Sequence, residues 1–429
     1  MIKQFILSAL FFYSAAMLRA QNRTGTDVLH HPELVSAFYA LIGKQNFWLD
    51  NPVSLSLRKN FLNVIDSAAK WALDATDYHD KELHRLVEIS FTQKDSVAEK
   101  YCERVFTDAA ISFFKDLYEG SNNNAGYDEI SSKCTEIDKR IILNKLVAIC
   151  NGNCLEDVIC SLEPVNDEYL ILKSEYQKQI AKHSSYNLMQ LKRTINYLRW
   201  INHFKLVQYI VVNIPSASLN YYQADTIALT MKAVVGKPST QTPRFAAYCN
   251  KVILYPYWNV PNSIAVKELL PLYKKSPGLL NAMNMQVIDN NGKVVNASKL
   301  NWSVYTKNNF PYRFRQSTGC DNALGVMKFN LTDPFNVYMH DTNNKSAFLS
   351  QKRFYSHGCI RIEQPLQLAN CILPRPVDSS FVQSCLKDEK PMELNLVNAI
   401  PVFVIYSTVT ANAGKEVVYL KDIYRLLKK

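Results

Sequence analysis

Residues 207 to 222 read VQYIVVNIPSASLNYY, and the hydrophobic pattern of the chain changes at this stretch. β-branched and aromatic residues form two short runs that Pro215 separates, and a further run, residues 228 to 235, ends at Gly236. Such runs are typical of β-strands bounded by turn residues. A β-rich part of the chain is therefore predicted to begin here.

Upstream of this stretch, residues 27 to about 205 show helical periodicity. Apolar residues recur at the spacing of one helix face in Val35, Phe38, Tyr39 and Ile42, and similar stripes cover residues 55–73, 105–117 and 188–201. This part is predicted to be a helical scaffold. Its tryptophans are expected to pack in the core, namely Trp48, Trp71 and Trp200.

Length and composition fit a folded chain of two or three domains, because 429 residues exceed the usual size of one domain. The formal charge is +11, but the basic residues are scattered and form no arginine-rich or aromatic-interleaved stripe. Nucleic acid is therefore not expected as a partner. A weakly basic surface suits an anionic polymer such as a cell wall.

The first residues resemble a secretory signal. Lys3 precedes the apolar run from Phe5 to Leu18, and small and polar residues follow, so cleavage is expected after Ala20. The apolar run is too short to span a bilayer. We predict that residues 1–20 are a signal peptide, that the mature protein is exported and that it has no stable membrane insertion. The alternative is an uncleaved membrane anchor.

Ten cysteines suit an exported chain, in which disulfides can form. Cys150, Cys154 and Cys160 form a tight cluster, but their spacing lacks the C-x2-C pattern and no histidine pair follows. A local disulfide or buried thiols are therefore favoured over zinc. No metal site is predicted, because the remaining histidines show no metal-ligand spacing: His30, His31, His79, His84, His183 and His203.

A second stretch, residues 338 to 363, reads YMHDTNNKSAFLSQKRFYSHGCIRIE. It contains Cys359 and, nineteen positions upstream, His340. A thiol has an ordinary pKa of about 8.5 and needs a base to become a nucleophile near neutral pH. We predict that Cys359 is the nucleophile of an acyl transfer and that His340 is its base. The ordinary imidazole pKa of about 6.5 makes proton exchange between them nearly balanced near pH 7.

The residues around the cysteine are expected to support this chemistry. Backbone N–H groups at His357, Gly358 and Cys359 are predicted to stabilise an oxyanion in a loop that includes Ser356, and Gly358 would permit its turn. Arg361 is predicted to bind a substrate carboxylate or to hold the loop.

The side chains of His357 and Tyr338 keep two interpretations each. His357 could act through its backbone alone or order the loop with its ring. Tyr338 could line a substrate groove or pack in the core, and Trp258 could support the base of a lid. We place Tyr338 and Trp258 among the candidate substrate-binding residues.

Residues 262 to about 300 interrupt the β pattern with a helical piece, Ile264 to Tyr273, and an Asn-Asn-Gly turn at 290–292. An insertion beside a catalytic centre often acts as a lid. The alternative is an ordinary surface excursion. We assign residues 262–315 to a lid or capping insertion.

The His340, Ser356-His357-Gly358-Cys359 and Arg361 pattern resembles the signature of the L,D-transpeptidase (YkuD-like) catalytic domain. Six further stretches resemble the large, scaffold-bearing branch of that family, at residues 211–215, 234–238, 242–243, 258–261, 321–325 and 338–341. The resemblance covers residues 207 to about 425. It implies an α+β chain with an all-helical scaffold domain at residues 21–205 and a mainly-β catalytic domain, with a helical lid insertion, at residues 206–429.

Two features depart from the family pattern. Thr318-Gly319-Cys320 stands where the family usually has Pro-Gly-Pro, which adds a thiol near the predicted site. The small peptidoglycan-binding domain that relatives in this branch commonly carry has no convincing copy in this sequence. Substrate is therefore expected to be held by the catalytic domain, the lid or the scaffold.

The resemblance implies that the protein crosslinks peptidoglycan in the periplasm of a Gram-negative-type bacterium. The thiolate would attack the carbonyl of the third stem-peptide residue, release D-alanine and pass the acyl group to an amine of a second stem, giving a 3→3 crosslink that carbapenems inhibit. No cofactor is implied. Two alternatives stay open: a carboxypeptidase or endopeptidase that uses water at the same site, and a non-catalytic wall-binding scaffold.

Overall fold

The computed structural model describes residues 29–50, 52–88, 96–121, 127–131, 135–182, 185–412 and 414–427. The predicted signal peptide, residues 1–20, lies outside the described residues. The described chain divides into two compact units. The first takes the described residues of 1–123, 134–204 and 411–417, and the second takes those of 124–133, 205–410 and 418–429.

The first unit is helical. Its helices are α1 (Pro32–Ile42), α2 (Pro52–Asp66), α3 (Asp80–Glu88), α4 (Ser96–Glu119), α5 (Thr135–Cys150), α6 (Leu155–Leu162), α7 (Asp167–Ala181) and α8 (Ser185–Asn202), with 3-10 turns at Ala68–Trp71 and Ala75–Tyr78. Acidic residues in the first turns of α3 and α5 complement the helix dipole. No helix in the described ranges is both long enough and apolar enough to cross a membrane.

The apolar faces of these helices meet in one core. Trp48, Phe61 and Phe106 are fully buried there, and Trp71 is half-buried against the same cluster. Trp200 on α8 is buried as well. The prediction of a helical N-terminal part is confirmed.

The second unit is mainly β. Its strands are β1 (Gln208–Asn213), β2 (Ser218–Gln223), β3 (Thr226–Gly236), β4 (Phe245–Leu254), β5 (Trp258–Asn259), β6 (Met285–Ile288), β7 (Val294–Val295), β8 (Arg313–Gln316), β9 (Met327–Leu331), β10 (Tyr338–His340), β11 (Phe354–Ser356), β12 (Ile360–Ile362) and β13 (Met392–Ile405), and the residues of β14 (Val409–Ala411) and β15 (Val417–Tyr419) are divided between the two units. Its helices are α9 (Asn262–Ile264), α10 (Leu270–Lys275), α11 (Leu279–Ala282), α12 (Pro365–Ile372) and α13 (Ser379–Gln383), with a π-helical turn at Ala265–Leu269 between α9 and α10.

Nine strands form the main sheet in the order β11-β3-β12-β10-β9-β4-β13-β1-β2. Because β2 also pairs with β3, the sheet closes into a barrel-like form. Alternate residues of the central strands, such as Val252, Phe329 and Ile360, are fully buried and pack with Leu368 and Ala369 of α12. The predicted mainly-β part is confirmed.

The insertion after β5 has its own structure. Helices α9 to α11 are followed by strands that form a second sheet in the order β5-β8-β6-β7. Buried residues of both parts, including Leu270, Tyr273, Trp302 and Phe314, form a separate small core. The insertion, which is called the cap below, thus combines helices with a small sheet, whereas the sequence predicted a helical piece in a lid or capping insertion.

The cysteines differ from the sequence expectation. Cys320 and Cys385 form a disulfide, which no sequence pattern predicted. Cys154 and Cys160 are free and exposed, and Cys150 is free and half-buried. The favoured reading of this cluster, a local disulfide or buried thiols, is therefore wrong for Cys154 and Cys160. Cys154 directly precedes α6 and Cys160 lies within it, and both are on the exposed side of that helix.

Candidate active site

The predicted nucleophile and base lie on two neighbouring strands. His340 ends β10, Cys359 directly precedes β12, and the parallel register pairs Met339 with Ile360 and His340 with Arg361. Met339 and Ile360 are fully buried in the core. Because side chains alternate along a strand, His340 and Cys359 both lie on the opposite face of the sheet. They are diagonal neighbours, a spacing of about 7–8 Å that an aromatic side chain can bridge.

The Cys359 thiol is half-buried and lies against Tyr338. The side chain and the backbone of Tyr338 both hydrogen-bond the sulfur, and Cys359 Sγ lies 4.0 Å from the carbonyl oxygen of Asn336. Burial raises the pKa of the thiol, while the Tyr338 hydrogen bonds and the charge of Lys328 act in the opposite direction. The net shift is upward, so the free protein holds a protonated thiol at neutral pH.

His340 is buried and neutral. Its Nδ1 donates a hydrogen bond to the carbonyl oxygen of Asp341, with 2.5 Å between the two atoms, which leaves Nε2 as the basic nitrogen. Burial lowers the pKa of His340 to about 3, and the charges of Arg361 and Lys328 act in the same direction. The resting pair is therefore thiol and neutral imidazole. The expectation of a nearly balanced pair used ordinary pKa values, which burial changes in opposite directions.

His340 lies between two cationic side chains in one row of the sheet. Lys328 on β9 and Arg361 on β12 are its direct cross-strand partners. Lys328 Nζ lies 4.2 Å from the centre of the Tyr338 ring, a cation–π contact. Arg361 Nε is buried and has no hydrogen-bond partner among the described residues. This row can accept an anionic group of a substrate.

The loop before the cysteine is held by hydroxyl groups. Ser356 Oγ donates to the carbonyl oxygen of Cys359 at 2.6 Å and accepts from the Gly358 N–H at 3.1 Å. Thr242 Oγ1 donates to the carbonyl oxygen of Gly358 at 2.8 Å and accepts from the Gly236 N–H at 2.9 Å. Gly358 has a φ of +123°, which favours glycine, as the sequence predicted.

These contacts change one predicted role. The Gly358 N–H is bound to Ser356, so it is not directed at the thiol as an oxyanion donor. Ser356 is buried and orders the turn. The N–H groups of His357 and Cys359 stay the predicted donors.

A second loop fixes the position of His340. The carboxylate of the next residue, Asp341, accepts a hydrogen bond from the Val326 N–H at 3.0 Å and contacts the Lys345 ammonium. Gly325 has a φ of +59°, and a Cβ there would lie 2.3 Å from the Asp341 carboxylate. The Asp-Asn-Ala-Leu-Gly stretch therefore brings its backbone directly against the residue after the base.

The cap contacts the site at two points. His357 Nε2 lies 2.9 Å from Glu268 Oε1 in the π-helical turn of the cap. The side chain of Trp258 on β5 hydrogen-bonds Tyr338. Trp258 therefore supports Tyr338 beside the thiol, and the His357 ring contacts the cap instead of the nucleophile.

The sequence analysis missed Lys328 and Glu268. Lys328 had a usable signal, because Met327, Phe329 and Leu331 are buried and alternate with polar residues in β9. That period places Lys328 on the face that carries His340. Glu268 had no such signal, since its partner lies 89 residues away.

Two family models match the chain. One, described as an L,D-transpeptidase catalytic domain, matches residues 207–379, and the other, described as a scaffold domain, matches residues 33–175. A curated protein of Haemophilus influenzae, named as a candidate L,D-transpeptidase, is 29% identical over 405 residues, which cover 94% of this chain and 80% of that protein.

Solved structures show more distant similarity. An L,D-transpeptidase in complex with imipenem is 14% identical with a TM-score of 0.21, over 46% of this chain and 59% of the other. A mutant L,D-transpeptidase of Enterococcus faecium is 13% identical with a TM-score of 0.22, over 50% and 62%. This chain thus spans about three fifths of those two solved chains. From the two domain matches, the chain carries a YkuD L,D-transpeptidase catalytic domain behind a scaffold domain, and it is similar over most of its length to a curated protein named as a candidate L,D-transpeptidase.

Proposed function

We propose that this protein is a peptidoglycan L,D-transpeptidase in which Cys359 is the nucleophile and His340 is the base. The observation that carries the proposal is that His340 and Cys359 share one face of the sheet. The imidazole of His340 is buried and neutral, and its Nε2 is basic. The donor and the acceptor are stem peptides. The protein is exported to the periplasm and acts there on the cell wall.

The reaction follows from the protonation states. The thiol is neutral at rest, so it loses its proton to His340 Nε2 as the sulfur attacks the carbonyl of the third stem residue. The imidazolium then protonates the leaving D-alanine amine, and the stem stays bound as a thioester. An amine of a second stem attacks this thioester, loses its proton to His340 and takes the acyl group as the carbon–sulfur bond breaks. His340 then returns that proton to the departing Cys359 sulfur.

Positive charge around His340 supports the anionic species. Lys328 and Arg361 stabilise a thiolate and a tetrahedral oxyanion near them, and they oppose a proton on His340, which favours its prompt transfer to the leaving amine. The unpartnered Nε of Arg361 is suited to a carboxylate of the stem peptide.

The test uses purified protein with tetrapeptide stems, and mass spectrometry of the products. Wild type is expected to release D-alanine and form 3→3 dimers, and Cys359→Ala to form none. Intact-mass analysis after carbapenem treatment gives a second readout, with an adduct on wild type that Cys359→Ala lacks. If wild type forms neither dimer nor adduct while folded, the non-catalytic scaffold is the correct reading.

A hydrolase at the same site is the second candidate. The His357–Glu268 contact favours the transpeptidase, because it holds the cap against the catalytic loop and a closed cap limits access of water. Deleting residues 262–300 should raise hydrolysis, but it also removes β6 and β7 from the cap sheet. Glu268→Ala is the milder test and should raise the ratio of tripeptide to dimer, whereas Glu268→Gln, which can keep a hydrogen bond, should raise it less. An unchanged ratio in both variants would count against a role of the cap in excluding water.

A further inference from the structure

Three side chains with metal-ligand chemistry meet in the helical unit, apart from the site described above. His30 precedes α1, His79 follows the 3-10 turn Ala75–Tyr78, and Asp108 lies within α4. One ligand atom from each lies within 4.8 Å of the other two. The sequence predicted no metal site, because these residues are far apart in the chain and their spacing forms no motif.

Asp108 is oriented by its surroundings. It is fully buried, and its Oδ1 accepts a hydrogen bond from the His31 N–H at 2.7 Å, while Oδ2 accepts from the His30 N–H at 2.8 Å. Burial acts to raise the pKa of Asp108, but the hydrogen bonds from His79 and the two N–H groups outweigh it, so the pKa is lowered. The carboxylate is therefore ionised at neutral pH.

The two imidazoles lie next to each other, and His79 contacts this carboxylate. His79 Nε2 lies 2.7 Å from Asp108 Oδ2. The rings of His30 and His79 stack, with 4.3 Å between their centres and 24° between their planes. His79 is half-buried with a φ of +57°, which fixes its backbone, whereas His30 is exposed. The set thus has two anchored members and one that can adjust.

We propose that His30, His79 and Asp108 bind a zinc ion, with water completing the coordination. Two imidazole nitrogens and one carboxylate oxygen are ligands that zinc accepts, whereas magnesium and calcium prefer oxygen alone. Zinc bonds of about 2.0–2.1 Å place tetrahedral ligands about 3.3 Å apart. The His79–Asp108 pair, at 2.7 Å, must therefore open slightly, and the separations from His30, which are at most 4.8 Å, must shorten by up to about 1.5 Å. Rotation of the exposed His30 side chain supplies that movement.

Zinc binding also moves a hydrogen on the His79 ring. The hydrogen that His79 Nε2 shares with Asp108 is replaced by the metal, and His79 then carries its single hydrogen on Nδ1. The two N–H donors stay on Asp108 and orient it, as outer hydrogen bonds do in known metal sites. The bound ion would tie residue 30 to α4 and to the 3-10 turn.

The competing explanation is that these residues form only a hydrogen-bonded anchor between Asp108, His79 and the backbone. The two explanations differ in whether the His30 ring is needed. The anchor uses Asp108, His79 and backbone N–H groups only. The metal site also needs the His30 ring, which is exposed and makes no hydrogen bond of its own among the described contacts. Replacing that ring therefore separates the two explanations, because the metal-free fold loses only its stacking contact with His79.

The experiment adds zinc chloride to the full, metal-stripped chain and measures stoichiometry by calorimetry and Tm by thermal unfolding. Zinc at about 100 times its Kd should raise the Tm of wild type by roughly 5–10 °C. His30→Ala should bind one equivalent fewer and lose the Tm shift, with an unchanged metal-free Tm. His79→Gln, which can still donate to Asp108, should lose the same equivalent.

The matched control is His84→Ala, which removes an exposed histidine that lies 2.8 Å from Asp66 in the same unit. It should bind zinc as wild type does. Because the exposed thiols of Cys154 and Cys160 can bind zinc as well, the decisive quantity is the difference between wild type and His30→Ala. Equal stoichiometry and equal Tm shifts in those two proteins would overturn the proposal, whatever the transpeptidase assay gives.

Discussion

The buried histidine of the candidate active site, His340, should make the β unit sensitive to acid. Unfolding exposes His340, and its pKa then returns from about 3 to its ordinary 6.5. Between these two values the unfolded chain binds a proton that the folded protein does not, so the folded state loses stability as the pH falls. Above pH 6.5 the imidazole is neutral in both states and contributes nothing to the pH dependence.

The size of this effect follows from the shift. Each pKa unit corresponds to about 1.36 kcal/mol, so His340 should remove about 2.7 kcal/mol of stability between pH 7.5 and pH 4.5. His340→Gln keeps a neutral polar side chain and lacks the titration. The difference in unfolding free energy between wild type and His340→Gln should therefore change by about 2.7 kcal/mol over this range.

Hydrogen exchange suits the measurement, because it reports each part of a two-unit chain separately. The unfolding free energy is read from slowly exchanging amides of β9, β10 and β12 in wild type and His340→Gln at pH 7.5 and 4.5, after correction for the intrinsic exchange rate. His84→Gln, an exposed replacement in the helical unit, is the control and should follow wild type. Parallel pH dependence in wild type and His340→Gln would refute the reasoning, since the buried imidazole would then titrate as in the unfolded chain.

Three further predictions concern single contacts. Lys328→Met removes a charge that favours the thiolate, so the pH profile of iodoacetamide labelling of the active-site thiol should move to higher pH, and Lys328→Arg should restore it. Gly325→Ala should destabilise by more than about 2 kcal/mol in a urea titration, because it adds a clash to a positive φ, whereas Gly292→Ala, with a positive φ in open space, should cost about 1 kcal/mol. Replacing both Cys320 and Cys385 by serine should lower the free energy of unfolding by up to about 4 kcal/mol, as expected for a crosslink across 65 residues, and should therefore lower the urea midpoint. An unchanged midpoint would contradict this prediction.

The sequence was sufficient where local pattern determines structure. The stripe of Val35, Phe38 and Ile42 forms α1, and the β-branched run around residue 210 forms β1. The sequence predicted Cys359 and His340 as a candidate pair, which the structure places on one face of the sheet, and Gly358 has the positive φ that the predicted turn requires. In these cases the deciding contacts lie within a few residues or within one motif.

The rest depends on contacts between distant residues. Cys320 pairs with Cys385 because two loops meet, and the small sheet of the cap joins β5 to strands far along the chain. The pKa of His340 departs from its ordinary value because of burial and of cations on two other strands, which no single stretch contains. Asp108 meets His30 and His79 only through the packing of helices. Tertiary structure sets each of these features, so periodicity and spacing could not predict them.

The protonated state of the Cys359 thiol has a consequence for chemical survival. Oxidants attack thiolates much faster than thiols, and a sulfur oxidised beyond the sulfenic acid is lost to catalysis. A cysteine that keeps its hydrogen until a substrate carbonyl arrives spends little time in the vulnerable form. The burial that keeps Cys359 protonated at rest thus also protects it from peroxide, and in the proposed reaction its sulfur becomes reactive only towards molecules that reach His340 as well.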